Sequence, residues 1–275
     1  MPITPSSLPQ LFDSHCHLDR LDLNPFAGNL ADALTTAQHV GVTQFLCVAI
    51  NLTHFPKILN IARNFSGVYI SAGLHPGERV THEPTFDDLI AISQLPEVVA
   101  IGETGLDYSY CNQKYHQCDH HLQQERFRLH INVARTVGKP LIIHSRAARS
   151  DTLKILIEEN ARDVGGVMHC FTEDWDTACA VLDLGFYISF SGIITFRKAT
   201  ELREVALQIP LESILIETDS PYLAPMPYRG KSNHPGWLPI IAEHLANLKK
   251  VDLATFAEIT TNNCLKMIST NLKKN

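Results

Sequence analysis

Asp13-Ser14-His15-Cys16-His17 closes a run that begins at Leu11-Phe12, and the same grammar returns along the chain. His144 follows Leu141–Ile143, His169 follows Val167-Met168, Glu103 follows Val98–Ile101 and Gly102, and Glu217-Thr218-Asp219 follows Ile214–Ile216. Each time a short apolar run ends in a residue type that binds metal. Runs of this length read as strands buried on both faces. In an α/β barrel, chemistry is built at the strand ends. The repeated pattern therefore predicts a TIM-like (β/α)8 barrel with a metal site at its mouth.

Working outward, strand-like segments fall at Leu11–Leu18, Thr43–Ile50, Val68–His75, Val98–Leu106, Pro140–Arg146, Gly166–Phe171, Tyr187–Gly192 and Ile214–Thr218. Helical patterns lie between them, at Ala31–His39, Phe86–Gln94 and His121–Val137 among others. The last has Phe127, Ile131, Ala134 and Val137 on one stripe, with Gly138 after its end and Pro140 opening the next strand. Leu238–Leu248 and Leu253–Ser269 are expected to close the barrel, after a long Pro/Gly-rich loop at Pro221–Pro239. A doubly wound open sheet would give a similar alternation, but a count of about eight strands suits closure. Residues 1–10 read as a short extension, and 11–270 as a single barrel domain.

The 275 residues suit one such barrel, and 45% hydrophobic with 19% charged residues is ordinary for a globular chain. The formal net charge of -6 argues against a surface that coats nucleic acid broadly, while leaving room for a local basic strip. Seven cysteines without a repeated C-x-x-C read as reduced thiols, hence a cytoplasmic protein, rather than as a structural zinc site. Met1–Gln10 lacks the features of a signal peptide, and no stretch is long and apolar enough to span a membrane.

His15 and His17 are two apart on a strand and share a face, with Cys16 pointing away. Imidazole is a common ligand for transition metals. Glu103 is expensive to bury unless it is paired or metal-bound, and its two oxygens can bridge two cations. His144 or His169 alone would read as a hydrogen-bonded core histidine; together on successive strands they read as ligands. Asp219 can hold a metal and exchange a proton with water. Asp13 and Glu217, on the same strand faces as His15 and Asp219, are either weaker ligand candidates or partners that orient the ligands. His75 in G-L-H-P can donate to a substrate oxygen, and Arg146, two after His144, suits bidentate phosphate binding. Arg229, Lys231 and Asn233 add donors in the long loop. Tyr108, Tyr222 and Trp237 are placed either to stack on a base or to pack the rim.

These motifs resemble the TatD family of metal-dependent deoxyribonucleases. D-S-H-C-H-L-D, G-L-H-P, I-G-E-T-G-L-D-Y, L-I-I-H-S-R, H-C-F and I-E-T-D-S-P-Y-L-A-P occur in the family's order, from Leu11 to about Ile268. The resemblance implies a TIM-like barrel with two divalent metal ions (Zn, Mn, Mg, Ni or Co). It implies that His15, His17, Glu103 and Asp219 hold one ion, and that Glu103, His144 and His169 hold the second, with Glu103 bridging. His75 would face the substrate phosphate. One departure is visible: the family often has an acidic residue after H-x-R, and here Ala147 follows Arg146.

The expected activity is cleavage of phosphodiester bonds in DNA, as a 3′-5′ exonuclease on single-stranded ends, with RNA ends as an alternative that these motifs do not separate from DNA. Two cations would activate water, Asp219 would act as base, Glu103 would bridge, and His75, Arg146 and Arg229 would bind the substrate. The competing reading is hydrolysis of another ester or amide on the same site, such as an aminoacyl ester or lactone. Glu103 in the bridging place, with no lysine ending the fourth or fifth strand, favours the TatD-like reading. A non-catalytic binding protein is disfavoured because every candidate ligand is present. Neither an obligatory protein partner nor a membrane is implied.

Overall fold

The computed structural model describes residues 9–109 and 119–269. Eight strands form one parallel sheet in sequence order: β1 (Leu11–Cys16), β2 (Val42–Cys47), β3 (Val68–Ala72), β4 (Val98–Asp107), β5 (Leu141–Arg146), β6 (Gly166–Met168), β7 (Phe186–Phe190) and β8 (Ile214–Ile216). Helices α1 (Leu30–His39), α2 (Phe55–Asn64), α3 (Phe86–Ser93), α4 (His120–Val137), α5 (Arg149–Glu158), α6 (Trp175–Asp183) and α7 (Thr200–Gln208) connect them in turn. α8 (Leu238–Lys249) and α9 (Leu253–Ser269) follow β8. The result is a TIM-like (β/α)8 barrel. The extension expected at residues 1–10 lies outside the described residues, apart from residues 9 and 10.

The predicted strands are all present, most of them shorter than expected at their C-terminal ends. The apolar runs continue past the sheet ladder into loops that are still buried, such as Val48-Ala49 after β2. β4 instead runs one residue further than expected, to Asp107, with Glu103 inside the strand as the expected bounds had it. α2, α5, α6 and α7 carry weaker sequence signals. α5, for example, buries only Thr152, Ile155 and Leu156.

The barrel closes where β1 meets the end of β8. Ser14 Oγ donates to Ile216 O at 2.9 Å, Asp219 N–H to His15 O at 2.9 Å, and His17 N–H to Ser220 O at 2.8 Å. The Asp13 carboxylate accepts from the Thr218 amide at 2.9 Å and its hydroxyl at 2.6 Å. Asp13 thus fastens the seam rather than turning an imidazole ring. Burial, opposed by those Thr218 bonds, pushes its carboxyl up to about 7.

Inside the barrel, Phe12, Leu46, Val48, Ala100, Ile142, Val167 and Leu215 form an apolar floor, closed from below by Cys264, Met267 and Ile268 of α9. A larger cluster packs the helices onto the outside of the sheet. Three strands reach from floor to mouth by regular alternation: Ile142 to His144, Val167 to His169, and Leu215 through Glu217 to Asp219. Two break it. The β1–β2 register shifts between Asp13 and Cys16, so Phe12 belongs to the inner cluster and Cys16 to the outer one. The β4–β5 register shifts between Ile101 and Thr104, and Glu103 enters the mouth although Ala100 lies in the floor. Such irregularities re-aim side chains beside active sites.

Candidate metal centre at the barrel mouth

Above the floor lies a cavity of about 600 Å³, whose walls include His17, His75, Glu103, His144, His169 and Asp219. Backbone geometry delivers the carboxylates. Gly102 has φ +147°, and a Cβ there would stand 2.6 Å from Ile142 O; at Gly105 (φ +130°) it would stand 2.0 Å from His144 O. Only glycine lets β4 lie this close to β5, which carries Glu103 to His144. Asp219 has φ +55°, a turned-back conformation that aims its side chain at β1.

Two groups of atoms converge. His15 Nε2 lies 3.3 Å from His17 Nε2, 3.4 Å from Glu103 Oε2 and 3.7 Å from Asp219 Oδ1, and His17 Nε2 lies 3.3 Å from Asp219 Oδ1. On the other side Glu103 Oε1 lies 2.8 Å from His169 Nε2 and 3.0 Å from His144 Nδ1, which are 3.3 Å apart. The structure thus brings together all six residues expected as ligands, with Glu103 reaching both groups through different oxygens.

The outward ring nitrogens explain the arrangement. His17 Nδ1 lies 3.2 Å from Val48 O, His144 Nε2 3.1 Å from Asp107 Oδ2, and His169 Nδ1 3.3 Å from Glu217 Oε1. Each outer nitrogen donates its proton to that acceptor, so each inner nitrogen of a neutral ring presents a lone pair. Lone pairs and carboxylate oxygens then face one another at 2.8–3.7 Å, which repels unless a cation lies among them. Two donors about 2.0–2.1 Å from one tetrahedral ion are roughly 3.3 Å apart, close to the spacing of the His15, His17 and Asp219 group. The donor set therefore fits divalent metal. With no metal bound, burial would raise the Glu103 carboxyl, but His169, His75 and His15 in their protonated forms, with the His144 hydrogen bond, hold it well below the usual range.

Asp107 is a site residue that the ligand pattern missed. It is buried, two pairs along β4 from Glu103, and it fixes His144. Period-two alternation from Glu103 through Gly105 would have found it. Glu217 does orient His169, as expected, and its Oε2 has no hydrogen-bond partner among the described residues.

His75 stands 3.6 Å from Glu103 through Nε2, and its Nδ1 accepts the Gly77 amide at 3.0 Å. The proton of the neutral ring is therefore on Nε2, facing the cavity, and burial pushes the ring's pKa down to about 3. α4 braces this loop. Arg126 donates to the carbonyls of His75, Pro76 and Glu78, and His130 Nε2 accepts the Leu74 amide at 3.0 Å.

Arg146 is exposed on the cavity wall. Arg229 lies elsewhere, its guanidinium 4.6 Å from the centre of the Phe196 ring and not on that wall. Lys231 lies over Tyr228. Asn233 is buried and staples its own loop, donating to Thr218 O and Tyr222 O. Of the three aromatics, only Tyr222 lines the cavity; Tyr108 donates to Asp151 and stacks on His120, and Trp237 stacks on Tyr228.

Fold and donor set together define a metal-dependent hydrolase of the barrel type. The family model described as TatD related DNase matches residues 12–269, and the chain belongs to that family. It is 45% identical over 258 residues to the uncharacterized metal-dependent hydrolase YcfH of Escherichia coli (strain K12), covering 94% of this chain and 95% of that one. It is 32% identical to the 3′-5′ ssDNA/RNA exonuclease TatD of Edwardsiella piscicida, over 88% of this chain and 94% of that one. Among solved structures, the TatD homologue YJJV of Escherichia coli K12 superposes with a TM-score of 0.84 at 28% identity, covering 94% and 97% of the two chains. No helix among the described residues is long and apolar enough to cross a membrane.

Proposed function

We propose that this chain hydrolyses phosphodiester bonds at single-stranded DNA or RNA ends, using two divalent cations held by the two donor groups that share Glu103. The carrying observation is the split of the Glu103 carboxylate, with Oε2 toward His15 and Oε1 toward His144 and His169. The nucleic-acid substrate is supported by the likeness to the Edwardsiella exonuclease and by the donors that surround the cavity.

Bound divalent ions would supply Lewis-acid neutralisation of the phosphate and a more acidic water. The chain's own residues do the rest. Asp219 is the more open carboxylate of the donor set, its side chain 13% exposed against 4% for Glu103. It uses Oδ1 toward His15 and His17, which leaves Oδ2 to take the proton from the attacking water. His75, kept neutral with its proton on Nε2, donates to a non-bridging phosphate oxygen. Arg146 offers a planar fork to the phosphate. Asp107 and Glu217 keep His144 and His169 in the tautomers the centre needs.

The test is hydrolysis of end-labelled single-stranded DNA and RNA with chelator, Mg²⁺, Mn²⁺ or Zn²⁺, beside His144→Ala and Asp219→Asn. Metal-dependent shortening lost in His144→Ala is expected. Asp219→Asn that binds metal and still cuts at the wild-type rate would remove Asp219 from the base role. A protein inert on nucleic acid but active on aminoacyl esters or lactones would move the assignment to carbonyl chemistry.

A further inference from the structure

We propose that Arg20 forms a second phosphate subsite opposite Arg146, so that the preferred substrate is a strand with phosphates flanking the bond cut, not an isolated phosphodiester. This assignment rests on the nuclease reading above and narrows it.

Arg20 ends a 3-10 turn, Leu18–Arg20, directly after the donor-bearing end of β1, and its amide donates to His17 O at 3.0 Å. Its position is thus tied to the metal centre by three residues of chain. Arg146 ends β5, two residues after His144. In an eight-stranded barrel in sequence order, β1 and β5 are four strands apart in either direction and stand on opposite walls. Both arginines line the cavity, with the donor set and His75 between them.

What singles them out is an unengaged guanidinium on the cavity wall; among the described residues Arg197 is unengaged too, but it is exposed and lies off that wall. Elsewhere, Arg63, Arg126, Arg128, Arg135 and Arg149 are paired with carboxylates. Arg203 donates to main-chain carbonyls, and Arg229 lies on Phe196. No acceptor engages the side chain of Arg20 or Arg146 among the described residues, and Arg20 Nε is shut off from solvent without a partner. The other acid on the wall outside the donor set, Glu78, is held by Asn51 Nδ2 at 2.9 Å. The Arg146 fork and the terminal amino groups of Arg20 remain open on the wall, and a guanidinium can give a phosphate two parallel hydrogen bonds. Tyr222 adds a platform on the Arg20 side. It is 48% exposed, with its ring centre 6.0 Å from that of His17, where a base attached to the Arg20-bound phosphate could stack.

The test compares wild type, Arg20→Gln and Arg20→Lys, each supplied with Mn²⁺, on a single-stranded oligonucleotide and on bis(p-nitrophenyl) phosphate, which has a single phosphate. For Arg20→Gln, kcat/KM on the oligonucleotide is expected to fall about tenfold more than on the small diester, through KM. The slope of log KM against log salt should shrink by about 0.7, one phosphate contact on a single strand. Arg20→Lys should recover the salt slope while recovering only part of KM, because an ammonium keeps the charge without the fork. Equal losses on both substrates, or an unchanged salt slope, would overturn the subsite while leaving the nuclease intact. A wild type that cleaves the small diester but no oligonucleotide would overturn both.

Discussion

The two ends of this barrel are built on opposite principles. The floor is apolar, from Phe12 to Leu215, and α9 seals it with Met267 and Ile268. The mouth buries His15, His17, Glu103, His169, Asp107 and Glu217, all under 9% exposed, with their inner polar atoms crowded together. Burying charge without a counter-charge opposes folding. The floor and the outer core therefore carry the stability, and the mouth consumes part of it to hold a reactive geometry. Strands that pass through both regions let one end be tuned without the other.

That division can be broken or sharpened by substitution. The largest effect is expected for Glu103→Gln, about a thousandfold loss of kcat/KM. Metal content measured by elemental analysis should drop with it, while the thermal midpoint of the metal-free protein holds or rises. A collapse of that midpoint would mean that the mouth stabilises the fold after all. Phe12→Ala at the floor should do the reverse. Urea unfolding should show a loss of about 3–5 kcal/mol, with turnover per folded molecule retained.

His130 lies behind the mouth, and its test is pH. Burial lowers its pKa from 6.5 to about 4 in the fold. Between those values the unfolded chain binds the proton first, so this stability is present above about pH 6.5 and is lost as pH falls toward 4. It amounts to on the order of 3 kcal/mol. Urea midpoints across that window should decline less in His130→Gln than in wild type; parallel curves would assign the decline to other groups. The smallest change is expected for Glu217→Gln. Titration calorimetry should show metal affinity weakened ten- to a hundredfold, with the fold kept. Unchanged affinity would show that packing alone orients His169.

The floor and much of the mouth were legible in the sequence because they share a period. Ile142 and His144, Val167 and His169, and Leu215, Glu217 and Asp219 step by two, so an apolar run followed by a ligand-type residue marks one face. His15 and Glu103 were legible by residue type but not by phase, since register shifts in β1 and β4 turn them inward. A shift of pairing leaves no mark in composition. Arg20 escaped because its significance is the lack of a partner, which only the fold reveals. Arg229 shows the converse: a basic residue in a loop rich in functional signals that the fold lays on Phe196.

The seam between β1 and β8 has a consequence for biosynthesis. Ile216, Thr218, Asp219 and Ser220, which close the barrel on Asp13, His15 and His17, are added some two hundred residues after them. Until the ribosome delivers that segment, the chain has neither a shut barrel nor the last carboxylate of its centre. Residue order thus acts as a timer, and a complete donor set is withheld from the nascent polypeptide until the β8 segment has been made.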